Sequence, residues 1–120
     1  MEEILRIAKA LGDETRLRAL AALRKGDLCL SQMVHVLDLS PSTVSRHLEV
    51  LVEAGLIEVK REGKWRFYRL PRLLGGGASR RALAWALAGL SPMNRKSEDA
   101  ARERRARCRP LEELTACYRS

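Results

Sequence analysis

Aromatic side chains are scarce in this 120-residue chain, at 4% of residues. That is too few to line an open face with stacking rings, which argues against a base-stacking platform. Histidine occurs only twice, and neither copy is spaced to act as the base of a paired nucleophile. No glycine-rich phosphate loop or Ser/His/Asp set is present, so the sequence reads as that of a non-enzyme. No apolar run approaches the length of a membrane span, and no signal-peptide pattern opens the chain. Internal repeats are absent. Three cysteines, an odd number, do not make a secreted disulfide framework and suit free thiols in a reducing compartment. The expectation is a cytoplasmic protein with no membrane partner.

The chain does carry an excess of basic charge. The formal net charge is +8, and charged residues make up 32% of the sequence. That balance favours a polyanion such as DNA, RNA or an anionic membrane surface, although a merely solvated basic surface has the same composition. The length suits one domain with a modest core, for which a partner subunit is a common source of added stability.

Short amphipathic helices make up the first half. Ile4, Leu5, Ala8 and Leu11 recur at helical spacing until Gly12-Asp13 interrupts them. Asp13 suits the N-cap of a second helix carrying Leu17, Leu20, Ala21 and Leu23, which stops near Gly26. A third helix is expected from about Leu30 to Leu37. The fourth has Ser40 as N-cap and Pro41 at its first position, buries Leu48, Leu51 and Val52, and ends at Gly55. Beyond Gly55 the pattern changes. Residues 56–59 and 65–70 read as two strands, joined by the basic turn Lys60-Arg61-Glu62-Gly63-Lys64. After the Gly75-Gly76-Gly77 punctuation, Ala82 to Leu90 is apolar almost all round. Such a helix must be buried on several sides, which in so small a protein points to a subunit interface. Ala82, Leu83, Leu87 and Leu90, with Ile4 and Leu5, are expected to line it. The segment beyond Ser91-Pro92 is dense in arginine and is open to three readings: a solvated helix, a disordered arm or a further DNA contact.

Helix, short turn, helix and charged hairpin follow one another in the order of a winged helix-turn-helix. The expected fold is therefore mainly α with a small β-hairpin, and dimeric. Residues 1–74 form the DNA-binding core, and 75–120 a dimerisation helix with a basic, cysteine-containing tail. Ser40, Ser42, Thr43, Ser45, Arg46 and His47 crowd the start of the fourth helix, where side chains reach base edges and the helix dipole favours phosphates. Lys60, Arg61, Lys64 and Arg66 would sit on the wing and contact backbone phosphate or the minor groove. Trp65, Phe67, Tyr68 and Trp85 are expected in core and interface packing, and His35 as a packed or partly exposed polar residue.

Four separated stretches keep the order and spacing of one family: residues 11–18 (LGDETRLR), 27–30 (DLCL), 39–48 (LSPSTVSRHL) and 61–68 (REGKWRFY). Over residues 3–70 the chain resembles the ArsR/SmtB repressors. The resemblance implies a homodimer that holds a double-stranded operator until an inducer releases it, needs no cofactor to bind DNA, and faces His47 toward the DNA. In arsenical sensors of this family a cysteine at the place of Cys29 is a thiolate ligand, paired with a second two residues on. This chain has Ser31 there, so further thiols must come from Cys108 and Cys117. Three soft thiolates suit As(III) or Sb(III). A continuous helix would set Cys108 and Cys117 on opposite faces, so a shared site needs a bend near Arg109-Pro110 or ligands from both subunits. The family's other inducer site, for zinc-like ions, uses acids and histidines on the dimerisation helix, and residues 72–90 contain none. Cys29 as a small buried hydrophobe, a two-thiol redox or persulfide switch, a methylarsenite sensor, and a sequence-neutral architectural DNA binder remain as alternatives.

Overall fold

The computed structural model describes residues 1–72, 76–90 and 97–108. The expectations attached to Gly75, Ser91-Pro92, Arg109-Pro110 and Cys117 lie outside these residues. Helices α1 (Glu2–Leu11), α2 (Glu14–Ala22), α3 (Leu30–Leu37) and α4 (Pro41–Glu53) precede a hairpin. Helices α5 (Ala78–Gly89) and α6 (Ser97–Cys108) follow it.

Local chemistry sets the helix boundaries. The Asp13 carboxylate accepts from the Thr15 and Arg16 amides at 2.8 and 3.3 Å, satisfying donors that a first turn otherwise leaves unpaired. Ser40 Oγ accepts from the Thr43 amide and donates to Thr43 Oγ1 at 2.8 Å, with Pro41 opening the helix. At the far end of α4 the Leu56 amide bonds the Leu51 carbonyl and the Gly55 amide the Val52 carbonyl, both at 3.0 Å. Gly55 takes φ +77°, which closes a Schellman motif and leads the buried Leu56 back toward Leu51.

The sheet differs from the expected hairpin in two respects. The hairpin strands are β2 (Glu58–Glu62) and β3 (Trp65–Arg69), so Lys60, Arg61 and Glu62 belong to a strand and the turn shrinks to Gly63-Lys64. Gly63, at φ +61°, supplies the left-handed first position of this two-residue turn. Leu56 and Ile57 are buried in the core ahead of the strand. A further strand, β1 (Leu28–Cys29), pairs antiparallel with β3, Leu28 against Tyr68 and Cys29 against Phe67. The sheet order is β1-β3-β2.

Leu20, Leu23, Leu28, Met33, Leu37, Leu48, Leu51, Leu56 and Leu83 are fully buried in one core. Each stabilises the fold by about 1.5–3 kcal/mol through the apolar surface it removes from water. Leu83 and Leu87 belong to this core, which corrects their expected place on a subunit interface. Ala82 and Leu90 are partly buried against the same core, while Ile4 and Leu5, expected at that interface, are exposed on α1, and Trp85 is the large apolar side chain exposed on α5, at 74%.

Helix α6 packs along α3 and buries two carboxylates. Asp99, 1% exposed, receives both Nε and Nη2 of Arg18, at 2.7 and 2.9 Å, and Nη2 of Arg102 at 2.8 Å. Glu103 pairs with Arg107 at 2.8 Å. Burial raises the Asp99 carboxyl, but the bond and charge of Arg18, joined by Arg102, outweigh it and hold the group below the ordinary carboxylate range. A carboxyl whose pKa is lower folded than unfolded adds stability above its unfolded pKa, and that stability is lost as pH falls through the folded value. Asp99→Asn should therefore cost about 3–5 kcal/mol at neutral pH, because two arginines lose their counter-charge. The gap in Tm between the two proteins should narrow below about pH 4. Circular-dichroism melts at neutral and acid pH measure both. An equal gap at the two pH values would remove the ion pair as the cause.

Candidate nucleic-acid interface and thiol site

The apolar stripe of α4, Val44, Leu48 and Leu51, is fully buried, and this turns its polar residues outward. Ser40, Ser42 and Arg46 are exposed, and Thr43, Ser45 and His47 are half-buried. Ser40 and Thr43 are engaged with each other in the cap. His47 is engaged too: its Nδ1 lies 3.1 Å from Arg16 Nη1. Glu49 is exposed on the same helix, and sequence reasoning missed it because basic residues were the signal sought. Among the described residues Glu49 forms no ion pair.

On the hairpin, Lys60, Arg61 and Lys64 are exposed, and Lys60 pairs with Glu62 at 3.0 Å. Arg66 sits differently. It lies half-buried on β3 with its guanidinium 5.9 Å from the Tyr68 ring centroid. There it lines a cleft of about 280 Å³ with Ser45, Glu49 and Val52 of α4, between α4 and the hairpin and away from the hairpin tip. Its Nε is buried without a hydrogen-bond partner among the described residues. Of the aromatics, Tyr68 is buried, while Trp65 and Phe67 are half-buried.

Cys29 is the N-cap of α3 and 2% exposed. Its amide donates to Gln32 Oε1 at 2.9 Å, one half of a capping box. Cys108 ends α6 and is exposed. Contacts at the two ends of α6 fix its direction. Near its start Asp99 holds Arg18, which also donates to the Leu37 carbonyl at the close of α3, and one turn on Arg102 donates to the Val36 carbonyl. At its close Arg107 donates to the carbonyls of Ala22, Gly26 and Asp27, just ahead of β1. Helix α6 is thus antiparallel to α3, and Cys108 stands at the end of α3 that Cys29 opens. Among the described residues no group of three His, Cys, Asp or Glu side chains is assembled to hold an ion, and Cys117 lies outside them.

A capped polar helix, set on a small sheet whose hairpin projects basic residues, defines the class: a winged helix-turn-helix of the kind that regulators of transcription use. Residues 13–59 match the family described as bacterial regulatory protein, arsR family. The chain belongs to that family. It is 45% identical over 74 residues to the arsenic resistance transcriptional regulator ArsR1 of Pseudomonas putida, covering 58% of each chain. It is 38% identical over 68 residues to an uncharacterized HTH-type transcriptional regulator of Methanocaldococcus jannaschii, covering 56% of this chain and 76% of that one. The homodimeric winged helix-turn-helix DNA-binding domain of a possible ArsR-family regulator from Mycobacterium bovis superposes with a TM-score of 0.61 at 26% identity, covering 77% of this chain and 82% of that domain. Family and relatives are regulators of transcription rather than enzymes.

The two described thiols should differ sharply in access. In a Cys117→Ser protein a maleimide should label Cys108 within its bimolecular time. Cys29 should be labelled only through local opening, at least tenfold more slowly. Equal labelling rates, read by mass spectrometry of the peptides, would show that Cys29 is not sealed under β3 and α3.

Proposed function

We propose that this protein is a dimeric repressor that occupies a double-stranded operator and leaves it when a thiophilic inducer, As(III) or Sb(III), binds. The observation that carries the DNA reading is α4, capped at Ser40 and buried along one stripe, with Ser42 and Arg46 turned to solvent at its dipole-positive end. Arg46 and His47 are the residues assigned to base reading. Ser40, Ser42, Thr43 and Ser45 position α4 on the groove, and Lys60, Arg61, Lys64 and Arg66 supply backbone attraction. Glu49 accepts hydrogen bonds only, so on this face it selects base amino groups and repels phosphate. DNA binding needs no cofactor in this reading.

The inducer reading is supported by Cys29 and Cys108 lying at one end of α3, and by relatives named for arsenic resistance. Soft thiolates suit soft acceptors. Cys29 and Cys108 would supply two and Cys117 the third. The same pair also suits a two-thiol switch, whether disulfide, persulfide or methylarsenite. Dimerisation is supported by the exposed apolar surface of Ile4, Leu5 and Trp85 and by the homodimeric M. bovis domain.

Operator release, titrated with arsenite, antimonite, zinc, cadmium, peroxide and polysulfide, tests the inducer in the wild type and in each Cys→Ser variant. Arsenite should release DNA at the lowest concentration, and each single variant should lose most of that response. Indifference to one cysteine selects a two-thiol switch, and undiminished arsenite binding in all three variants rejects arsenic. For DNA, Arg46→Ala should cut the operator-to-random affinity ratio about tenfold. Lys64→Ala should weaken both affinities alike and lower the salt slope by about one. An unchanged ratio in Arg46→Ala removes that residue from base reading.

A separate measurement addresses assembly. Trp85→Asp should sediment as a monomer at micromolar concentration while keeping its helical spectrum, because the buried core does not use Trp85. A stable Trp85→Asp dimer places the interface elsewhere.

A further inference from the structure

A guanidinium withdrawn from water must find acceptors for a rigid fork of donors and has no acceptor of its own to offer. The Arg16 side chain is 12% exposed, and its donors are taken up in three directions. Nε donates to the Ala10 carbonyl at 2.9 Å and Nη2 to the Lys9 carbonyl at 2.8 Å, in the last turn of α1, where intrahelical donors run out. Nη1 points to α4 and lies 3.1 Å from His47 Nδ1. The Asp13 carboxylate that caps α2 stands 4.0 Å from the same Nη1. One guanidinium therefore joins the end of α1, the start of α2 and the side of α4.

The contact with His47 fixes more than position. Arg16 can only donate, so Nδ1 must be the accepting nitrogen and the hydrogen of the neutral ring sits on Nε2. We propose that Arg16 is a positioning residue for DNA reading. It locks the His47 ring in its Nε2–H tautomer, so that α4 presents a donor at this point to a phosphate oxygen or to guanine N7 or O6. With Arg16 in place, His47 cannot offer DNA a ring acceptor and cannot read the amino groups of adenine or cytosine. The residue that sets this polarity lies on α2, thirty-one positions earlier in the chain, at the end of the helix that carries the exposed Ile4 and Leu5. The proposal rests on the reading of α4 as the DNA-facing helix.

The tautomer can be measured without DNA. In 15N-labelled protein at about pH 8, where an ordinary imidazole is neutral, long-range proton–nitrogen correlation of His47 should show a protonated Nε2 and an unprotonated Nδ1. Arg16→Met keeps the apolar stem and deletes the fork, and should give a ring that averages between tautomers. Operator affinity should fall about tenfold in Arg16→Met and in His47→Ala, with no further loss in the double variant. Where Arg16→Met unfolds the protein, Arg16→Lys, which keeps the charge and lacks the fork, should show the same loss of a single tautomer. A wild-type ring protonated on Nδ1 overturns the proposal, as does a ring unchanged by both Arg16 variants or a fully additive double variant. If His47→Ala binds operator like the wild type while the ring is Nε2–H, the DNA role of His47 is wrong and the proposal falls with it. The spectrum then separates that failure from a failure of the clasp.

Discussion

Val44, Leu48 and Leu51 recur at the helical period along α4 and have no access to solvent. Turning α4 by one residue, about 100°, would lift this stripe out of the core at about 1.5–3 kcal/mol for each side chain exposed. The stripe therefore fixes which side chains face outward. Position along the axis is fixed separately, by the Ser40–Thr43 cap at one end and the Gly55–Leu56 closure at the other. The face proposed to read DNA is thus determined by residues on the opposite, buried side of α4 and at its two ends. Its exposed members, Ser42, Arg46 and Glu49, are free to vary without disturbing the fold.

The boundaries that local chemistry determines were legible in the chain: the Asp13 cap, the Ser40-Pro41 start, the eight residues of α3. Strand β1 was not. Leu28-Cys29 is too short to alternate and exists only through its pairing with Tyr68 and Phe67 some forty positions later. Residues 60–62 read as turn because they are charged, yet an edge strand open to water tolerates charge. Helix α5 shows the limit of an all-apolar pattern. Burial against the chain's own core and burial against a partner leave the same composition, and only tertiary packing separates Leu83 and Leu87 from Trp85. The candidate site divides in the same way. The exposure of Arg46, Lys60 and Lys64 was legible in the sequence, whereas the burial of Arg66 beside Tyr68 and the pairing of His47 with Arg16 are tertiary facts.

Basic composition also carried two meanings that the sequence merged. Several arginines serve the fold and not a polyanion. Arg24 donates to the Leu87 and Leu90 carbonyls at 2.7 and 2.6 Å, at the end of α5. Arg107 does the same for the chain around Ala22 and Gly26. These carbonyls lie at or just beyond helix ends, where the full set of intrahelical donors runs out, and a cation is favoured there by the dipole as well as by the hydrogen bond. Arg18 and Arg102 neutralise Asp99. The charge free to attract a polyanion is accordingly smaller than the net figure. On the hairpin it is Lys60, Arg61 and Lys64 that stand exposed, whereas α4 sets the single Arg46 against Glu49 and Glu53.

Helix α3 connects the Cys29 thiol to α4. Cys29 caps its start, and only three residues separate its last residue, Leu37, from Pro41. Asp38, in the left-handed conformation at φ +55°, bends the chain between them, so little slack remains to absorb a displacement. Arg18 braces this corner from two sides, donating to the Leu37 carbonyl at 3.0 Å while it holds Asp99 of α6. A movement of α6 along α3 must therefore either break a buried ion pair or carry the corner, and α4 with it. Breaking such a pair costs several kcal/mol, more than the typical 1–3 kcal/mol of coupling between two sites. The easier response is for α3, α6 and the start of α4 to shift together. In the proposed function, an effector gripping the Cys29–Cys108 end would act on DNA only as far as it binds the shifted arrangement more tightly than the one that fits the operator.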